Sequence, residues 1–228
     1  MSKRISKRYK KLLEIFKEKK VSTLEEAVKK VKQSCTSKFN ESIDVSLNLN
    51  LKQKKEEISI RTVVNLPHGN GKKVRIAVLC EEGKVKEAKD SGAILAGSEN
   101  LIEEITSGKI NFDKLVATPA MMSKMGKLGK ILGPKGLMPN PKLGTVTNDI
   151  SKTVKALKSG QIEIKNDKDG NIATSLGKKS FSDDKILENY KTFIDKIKKE
   201  KPSGIKGDLI LSSFITSTMG ISHRVKIK

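Results

Sequence analysis

The hydrophobic period of this chain changes twice along its length, and that change limits the folds open to it more than any other feature. Between residues 3 and 20 apolar side chains recur at Ile5, Tyr9, Leu12, Leu13 and Phe16, a helical spacing with a lysine-rich opposite face. Ser22 followed by Glu25 resembles a capping box opening a second helix over residues 23–34, with Leu24, Ala27, Val28 and Val31 on one side. Ile43, Val45, Leu47, Leu49 and Leu51 then alternate strictly with polar residues, which predicts a strand with one buried face. Ile58, Ile60 and Thr62-Val63 predict a second strand after the charged turn at residues 52–57, completing a hairpin.

Asn65-Leu-Pro-His-Gly-Asn-Gly-Lys72 breaks this pattern, and Ser159-Gly160 is a second breaker. Between them short apolar runs at residues 74–79, 93–96 and 115–117 read as strands. Helical patterns at residues 85–90, 100–106, 121–128 and 150–157 separate and follow them, the alternation of a parallel sheet covered by helices. After Gly160 the strand period returns. Residues 161–165 alternate, 166–171 form a turn, and 172–176 come back as a hairpin. Residues 185–199 form an amphipathic helix burying Ile186, Leu187, Tyr190, Phe193, Ile194 and Ile197. A strand at residues 208–215 carries Leu209, Leu211 and Phe214-Ile215 as its apolar residues, and residues 225–227 close the chain.

The fold class is therefore mixed α/β (α+β) with two domains. A discontinuous domain of hairpins and helices comprises residues 1–66 and 160–228, and a βα-alternating parallel-sheet domain, residues 67–159, is inserted into it. Two crossings side by side, both marked by glycine, read as a hinge. The βα alternation carries no dinucleotide site, because no G-x-G-x-x-G opens a helix after a strand and no phosphate-binding G-x-x-x-x-G-K-[ST] string exists.

Within the insert, Lys130-Ile-Leu-Gly-Pro-Lys-Gly-Leu-Met-Pro-Asn-Pro-Lys-Leu-Gly-Thr145 holds Pro134, Pro139, Pro141, Gly133, Gly136 and Gly144. Proline fixes φ and removes a donor while glycine opens positive φ, so no regular helix or strand is expected to run through it. Ile131, Leu132, Leu137, Met138 and Leu143 are too apolar for a linker, so the segment reads as a rigid loop presenting Lys130, Lys135 and Lys142 outward. No acidic residue occurs from Lys114 to Asn148. Two readings stand on spacing alone, an irregular loop covering the core and a surface facing nucleic acid.

The Leu-Gly-Pro-Lys-Gly-Leu-Met-Pro-Asn-Pro-Lys string resembles the signature of the family of large-subunit ribosomal protein one, found in the mobile stalk beside the tRNA exit site. The likeness continues in Lys38-Phe-Asn-Glu-Ser42, Leu66-Pro-His-Gly69, Val116-Ala-Thr-Pro119 and Thr216-Ser-Thr-Met-Gly220, so it spans essentially the whole chain. It implies the same two-domain arrangement, a discontinuous α+β sandwich domain carrying the RNA site and an inserted Rossmann-like parallel-sheet domain. It also implies a structural constituent of the large subunit, located in the cytoplasm within the ribosome. The expected partners are large-subunit rRNA, exit-site tRNA and the protein's own operon messenger, whose translation it would repress, with a monomer off the ribosome.

Charge agrees with a polyanionic partner. A formal net charge of +21 with 4% aromatic residues makes the chain self-repelling until an anion such as nucleic acid compensates it. A membrane surface is the weaker alternative, since no apolar run reaches spanning length and the basic start, residues 1–11, is followed by no secretion signal. Apart from Arg4, Arg8, Arg61, Arg75 and Arg224 the cations are lysines, point charges suited to phosphates rather than to base edges.

Catalysis finds little support. His68 and His223 sit in no triad or metal motif, the acid pairs Glu81-Glu82, Glu103-Glu104 and Asp183-Asp184 point apart on any regular element, and Cys35 and Cys80 lack neighbours at metal spacing. No catalytic residue, cofactor or metal ligand is expected. A nucleotide-using or RNA-modifying enzyme and a general DNA-compaction protein are the competing classes.

Two segments are candidates for RNA contact. Lys38-Phe39 falls where a helix gives way to a strand, and on residue type alone Phe39 is more often core than contact. Residues 216–220 end a strand with hydroxyls, a thioether and a glycine, which alone reads as a strand-ending turn. The resemblance makes the two segments neighbours that clasp a folded rRNA element. It implies that Phe39 and Met219 meet ribose and base faces, that Ser42, Ser217 and Thr218 bond 2′-hydroxyls and phosphates, that Gly220 permits backbone approach, and that Lys38 and Lys165 neutralise phosphate. Ile221 stands where the family has proline and Thr62 where it has glycine, which bears on the exit of that turn and on the approach to the hinge.

Overall fold

The computed structural model describes residues 5–16, 21–51, 60–202, 205 and 207–227, and the chain divides into two compact units, Met1–Gly71 with Glu163–Lys228 and Lys72–Ile162. In chain order the elements begin with α1 (Lys7–Ile15), α2 (Leu24–Ser34), β1 (Ser42–Leu49), β2 (Arg61–Asn65) and β3 (Ile76–Leu79). They continue with α3 (Val85–Asp90), β4 (Leu95–Gly97), α4 (Glu99–Thr106), β5 (Lys114–Ala117), α5 (Pro119–Met125) and α6 (Gly129–Leu132). The last are α7 (Ile150–Ser159), β6 (Gln161–Lys165), β7 (Asn171–Lys178), α8 (Asp183–Lys199), β8 (Ile210–Ser217) and β9 (His223–Val225). The mixed α/β class expected from the periodicity is what forms, with an antiparallel sheet in one unit and a parallel sheet in the other.

In the first unit four strands run in the order β7-β1-β8-β9. β1 is central, and its strict alternation sends Ile43, Val45, Leu47 and Leu49 to the buried face, covered by α2 and α8. Both expected hairpins are corrected. β1 pairs with β7 and β8, whereas β2 pairs with β6, and β6 does not pair with β7. The Asn166 side chain accepts from Ile60 N at 2.6 Å, which holds β6 to the β2 side, while Leu49 N donates to Gly170 O at 2.9 Å and draws the start of β7 to β1. The turn at 52–57 and Ile58 lie outside the described residues, as do both ends of the helix expected over residues 3–20.

The capping box sits one residue later than expected. Thr23 Oγ1 accepts from Glu26 N and the Glu26 carboxylate accepts from Thr23 N. Ser22 is not free to cap because its backbone bridges β9, donating to Arg224 O and accepting from Lys226 N, both at 3.1 Å. The last long strand is also displaced, to Ile210–Ser217. The register of β1 against β8 shifts between Asn48 and Leu49, pairing them with Ser212 and Ile210. Leu211 is the extra residue, and this bulge turns it out to 55% exposure while Ser213 goes inward to meet Tyr190 Oη at 2.8 Å. In α8 the buried positions include Asn189, and Leu187 is only partly covered. The final strand comes at His223–Val225 rather than at 225–227.

The second unit is built on the parallel sheet β4-β3-β5. All four residues of β3 are buried because both faces of the sheet are covered. Ala77 and Leu79 join Leu115, Ala117, Met121 and Met125 in one cluster, and Ile76 and Val78 join Val116, Ile150 and Val154 in the other. The proline-glycine segment lies against the first cluster: Leu132 and Leu143 are buried, with Ile131, Leu137 and Met138 packed beside them. It is less irregular than its composition suggests. α6 runs through Gly129–Leu132, and Pro141–Leu143 makes a 3-10 turn started by Asn140, whose side chain accepts from Lys142 N at 2.9 Å. Gly144 ends that turn at φ 69°, a conformation that favours glycine. Lys130, Lys135 and Lys142 are all exposed.

Candidate nucleic-acid interface

Antiparallel pairing of Ile43 with Ser217 brings the start of β1 and the end of β8 together. The loop before β1 and the turn after β8 are joined beyond the sheet by hydrogen bonds. Thr218 N donates to Ser42 O at 3.1 Å, and Ser42 N donates to Thr218 Oγ1 at 3.0 Å. The Thr218 hydroxyl thus prolongs the ladder by one side-chain step. The two segments that the motif resemblance singled out form one continuous surface.

Glu41 lies beneath that surface with no exposure at all. Its carboxylate accepts from Ser37 N at 3.0 Å through Oε1 and from Met219 N at 3.1 Å through Oε2. Burial works to raise its pKa, but hydrogen bonds, led by those from the Ser37 and Met219 amides, hold the carboxyl below its ordinary value of 4.5. The sequence did contain a signal for it. Glu41 falls in phase with Ile43, Val45 and Leu47, and a charge in register with a buried stripe requires a partner.

From the other side Arg8 of α1 donates to Met219 O at 2.8 Å and to Thr36 Oγ1 at 2.9 Å. Ile5, Ser6, Arg8 and Tyr9 of this amino-terminal segment border a shallow depression whose other wall is Thr218, Met219 and Gly220. Spacing marked α1 only as an amphipathic helix, and nothing local linked Arg8 to a turn 211 residues away. Lys178 Nζ donates to Ser42 Oγ at 2.7 Å and Lys179 Nζ to Cys35 O at 2.7 Å, placing two more cations along the same loop.

The expected contact residues fall into distinct environments. Phe39 is 52% exposed and Met219 47%, so the alternative that Phe39 belongs to the core does not hold. Lys38 and Thr218 are exposed and Ser42 is half-buried. Ser217 is buried, and its hydroxyl is enclosed and makes no hydrogen bond of good geometry. Gly220 has an internal reason to be glycine. A Cβ there would lie 2.2 Å from Ser217 Oγ and 2.4 Å from Ser34 Oγ, so the protein's own hydroxyls occupy the space a side chain needs. Lys165 is exposed on β6 in the separate two-stranded ribbon and joins none of these hydrogen bonds. Lys130, Lys135 and Lys142 belong to the second unit.

Among the described residues no group of three or more His, Cys, Asp or Glu side chains could hold a metal ion, and no helix is long and apolar enough to cross a membrane. The roomier cavities of the first unit lie elsewhere, around Leu209, Leu211 and Val225 and between Tyr190 and Leu24, and their linings combine lysines with apolar side chains. They are grooves without a reactive grouping. The arrangement at residues 36–42 and 217–220 is a rigid, exposed apolar pair surrounded by hydroxyls and cations.

The profile of the ribosomal protein L1p/L10e family matches residues 28–221. The chain is 56% identical over 223 residues to the large ribosomal subunit protein uL1 of Pelagibacter ubique (strain HTCC1062), covering 97% of each chain. It is 48% identical to the protein of the same name from Rickettsia akari (strain Hartford), over 90% of this chain and 85% of the relative. The corresponding Prochlorococcus marinus (strain NATL1A) protein is 48% identical over 99% of this chain and 95% of its own length.

Proposed function

This chain belongs to the ribosomal protein L1p/L10e family, and from that premise we propose that it is a structural constituent of the large ribosomal subunit, anchored on rRNA through residues 36–42 and 217–220. The observation that carries this reading is the pair of exposed apolar side chains, Phe39 and Met219, on two segments locked together by a buried carboxylate and cross-strand hydrogen bonds. An aromatic and a thioether held outward on rigid backbone suit base and ribose faces, and surrounding cations suit the phosphates of a folded RNA. Phe39, Met219 and Thr218 make direct contact, together with Ser42 where its half-buried hydroxyl is reachable. Ser217 and Gly220 shape the turn from beneath, and Lys38 and Lys165 supply charge at the edge. Lys130, Lys135 and Lys142 form a second RNA-facing surface on the other unit.

By the same reading the discontinuous domain of residues 1–66 and 160–228 is the rRNA-binding body and the insert of residues 67–159 a distinct one, together forming with the RNA a mobile stalk. The protein assists movement and release of exit-site tRNA and represses translation of its own messenger. It is a cytoplasmic component of the ribosome and a monomer when free of it. These assignments are supported by the motif resemblance and by family membership.

The test is binding of the purified protein to a large-subunit rRNA fragment at several salt concentrations. Phe39→Ala and Met219→Ala should each weaken binding by about 1–3 kcal/mol, the range for losing one base-stacking contact, with an unchanged salt slope because no phosphate contact is lost. Lys38→Ala should flatten the slope instead. If all three behave as interchangeable small losses, the reading is replaced by undifferentiated electrostatic attachment.

A further inference from the structure

Both polar groups of the Met219 peptide backbone are held by charged side chains of opposite sign. Its N–H goes to the buried Glu41 carboxylate and its C=O to the Arg8 guanidinium. Each of those side chains also reaches the other segment of the surface, Glu41 at Ser37 N and Arg8 at Thr36 Oγ1. Two clamps therefore join the same two stretches of chain, one from inside the unit and one from α1. Met219 itself projects outward at 47% exposure.

We propose that Glu41 and Arg8 are a pair of positioning residues that set the Met219 turn against the Phe39 loop before any RNA arrives, which makes α1 part of the binding machinery. This rests on the proposed rRNA contact at Phe39 and Met219. Charge-assisted hydrogen bonds are roughly twice as strong as neutral ones, and here four of them act on adjacent residues of two short segments. A turn left without them samples several conformations, and the apparent affinity of a site falls by the fraction of molecules in the competent one. Neither side chain has to touch RNA for this effect. Glu41 cannot, because it is fully enclosed and carries the wrong charge for phosphate.

Glu41→Gln tests the inner clamp. The amide can accept from one of the two N–H donors but presents its own NH2 to the other, so one clamp bond becomes a clash of donors. Arg8→Lys tests the outer clamp. Lysine keeps the charge and loses the planar fork that reaches two acceptors. In free protein, amide exchange at Ser37 and Met219 should speed up in Glu41→Gln, while the amides within β1 stay protected.

With the rRNA fragment each variant should bind about tenfold more weakly, with an unchanged salt slope. The loss should appear in the association rate, because only the competent fraction can bind. Arg8→Lys lies on a surface helix and cannot unfold the unit, so it decides the matter if Glu41→Gln misfolds. Loosened turn amides combined with wild-type affinity would overturn the proposal. An Arg8→Lys variant with wild-type binding beside an Arg8→Ala variant with a reduced salt slope would overturn it too, since Arg8 would then be an ordinary phosphate cation. If the wild type itself does not bind the fragment, the proposed function fails, while the free-protein exchange data still report whether the clamps hold the turn.

Discussion

Gly220→Ala separates two reasons for a glycine in the binding turn. The resemblance assigns the glycine to close approach of RNA, whereas the structure shows the missing side chain's place already filled. A Cβ at 220 would stand 2.2 Å from Ser217 Oγ, 2.4 Å from Ser34 Oγ and 3.2 Å from Ser34 Cβ. Each oxygen would have to retreat by roughly 1 Å to restore ordinary contact. Ser217 Oγ makes no hydrogen bond of good geometry, so moving it breaks no well-formed bond. Ser34 Oγ donates to Val31 O at 2.7 Å, and breaking that bond costs about 0.5–1.5 kcal/mol. Both residues are buried, so overpacking adds about 1–3 kcal/mol, and the substitution should destabilise the unit by about 1.5–4.5 kcal/mol. Removing both hydroxyls, Ser34→Ala with Ser217→Ala, takes away the two closest contacts and leaves the 3.2 Å approach to the Cβ of residue 34. In that background Gly220→Ala should cost under about 1 kcal/mol, a coupling of more than about 0.5 kcal/mol readable from urea unfolding in a double-mutant cycle. Additivity within about 0.5 kcal/mol would refute the steric argument. If stability returns in the triple variant but rRNA binding does not, the RNA backbone also requires the glycine.

Two further predictions concern side chains buried in the same unit. Asn189 is fully enclosed on α8, where its amide donates to Gly69 O at 2.9 Å and Leu176 O at 2.8 Å while its oxygen accepts from His68 N at 3.2 Å. Asn189→Leu should therefore destabilise by about 2–4 kcal/mol, from buried carbonyls left without a donor, and unfolding midpoints at unchanged m-value would check it; a loss below about 0.5 kcal/mol would mean the loop at 66–70 is held otherwise. His223 has its pKa pushed below the ordinary 6.5, first by burial and then by the nearby Lys30 cation. The unfolded chain then binds the proton more readily, so stability is full above pH 6.5 and declines as the pH falls from there toward the lower folded value. His223→Gln should flatten that part of the stability–pH curve, and an identical slope in both proteins would assign the titration elsewhere.

Hydrophobic period and breaker residues told most of the element inventory. Alternation at Ile43, Val45, Leu47 and Leu49 identified the buried face of β1, and the short apolar run at residues 74–79 marked a buried strand, of which Ile76–Leu79 forms. The Pro/Gly-locked string at 132–142 carried the family, because few backbones accept so many fixed dihedrals in that order. These properties are local, written within a few residues of where they act. Partnership between strands is not. Period two says which face of a strand is buried and is silent on which strand lies beside it, so the nearest-neighbour hairpins β1–β2 and β6–β7 were inferred where the folded chain pairs β1 with β7 and β8, and β2 with β6. The bulge that turns Leu211 outward comes from the same non-local pairing.

The candidate site divides in the same way. Phe39, Met219 and Lys38 were legible as residue types within motifs, but their exposure depends on contacts spanning most of the chain. Glu41 reaches Met219 across 178 residues and Arg8 reaches it across 211. Ser217 shows the converse, a hydroxyl that the motif resemblance offered to RNA and that packing turns inward onto Gly220. Sequence alone determined the composition of the surface, because charge and side-chain chemistry belong to single residues. Only the tertiary structure decided which of those side chains face solvent and which hold the others in place, because both depend on hydrogen bonds and close packing between segments that no local period connects.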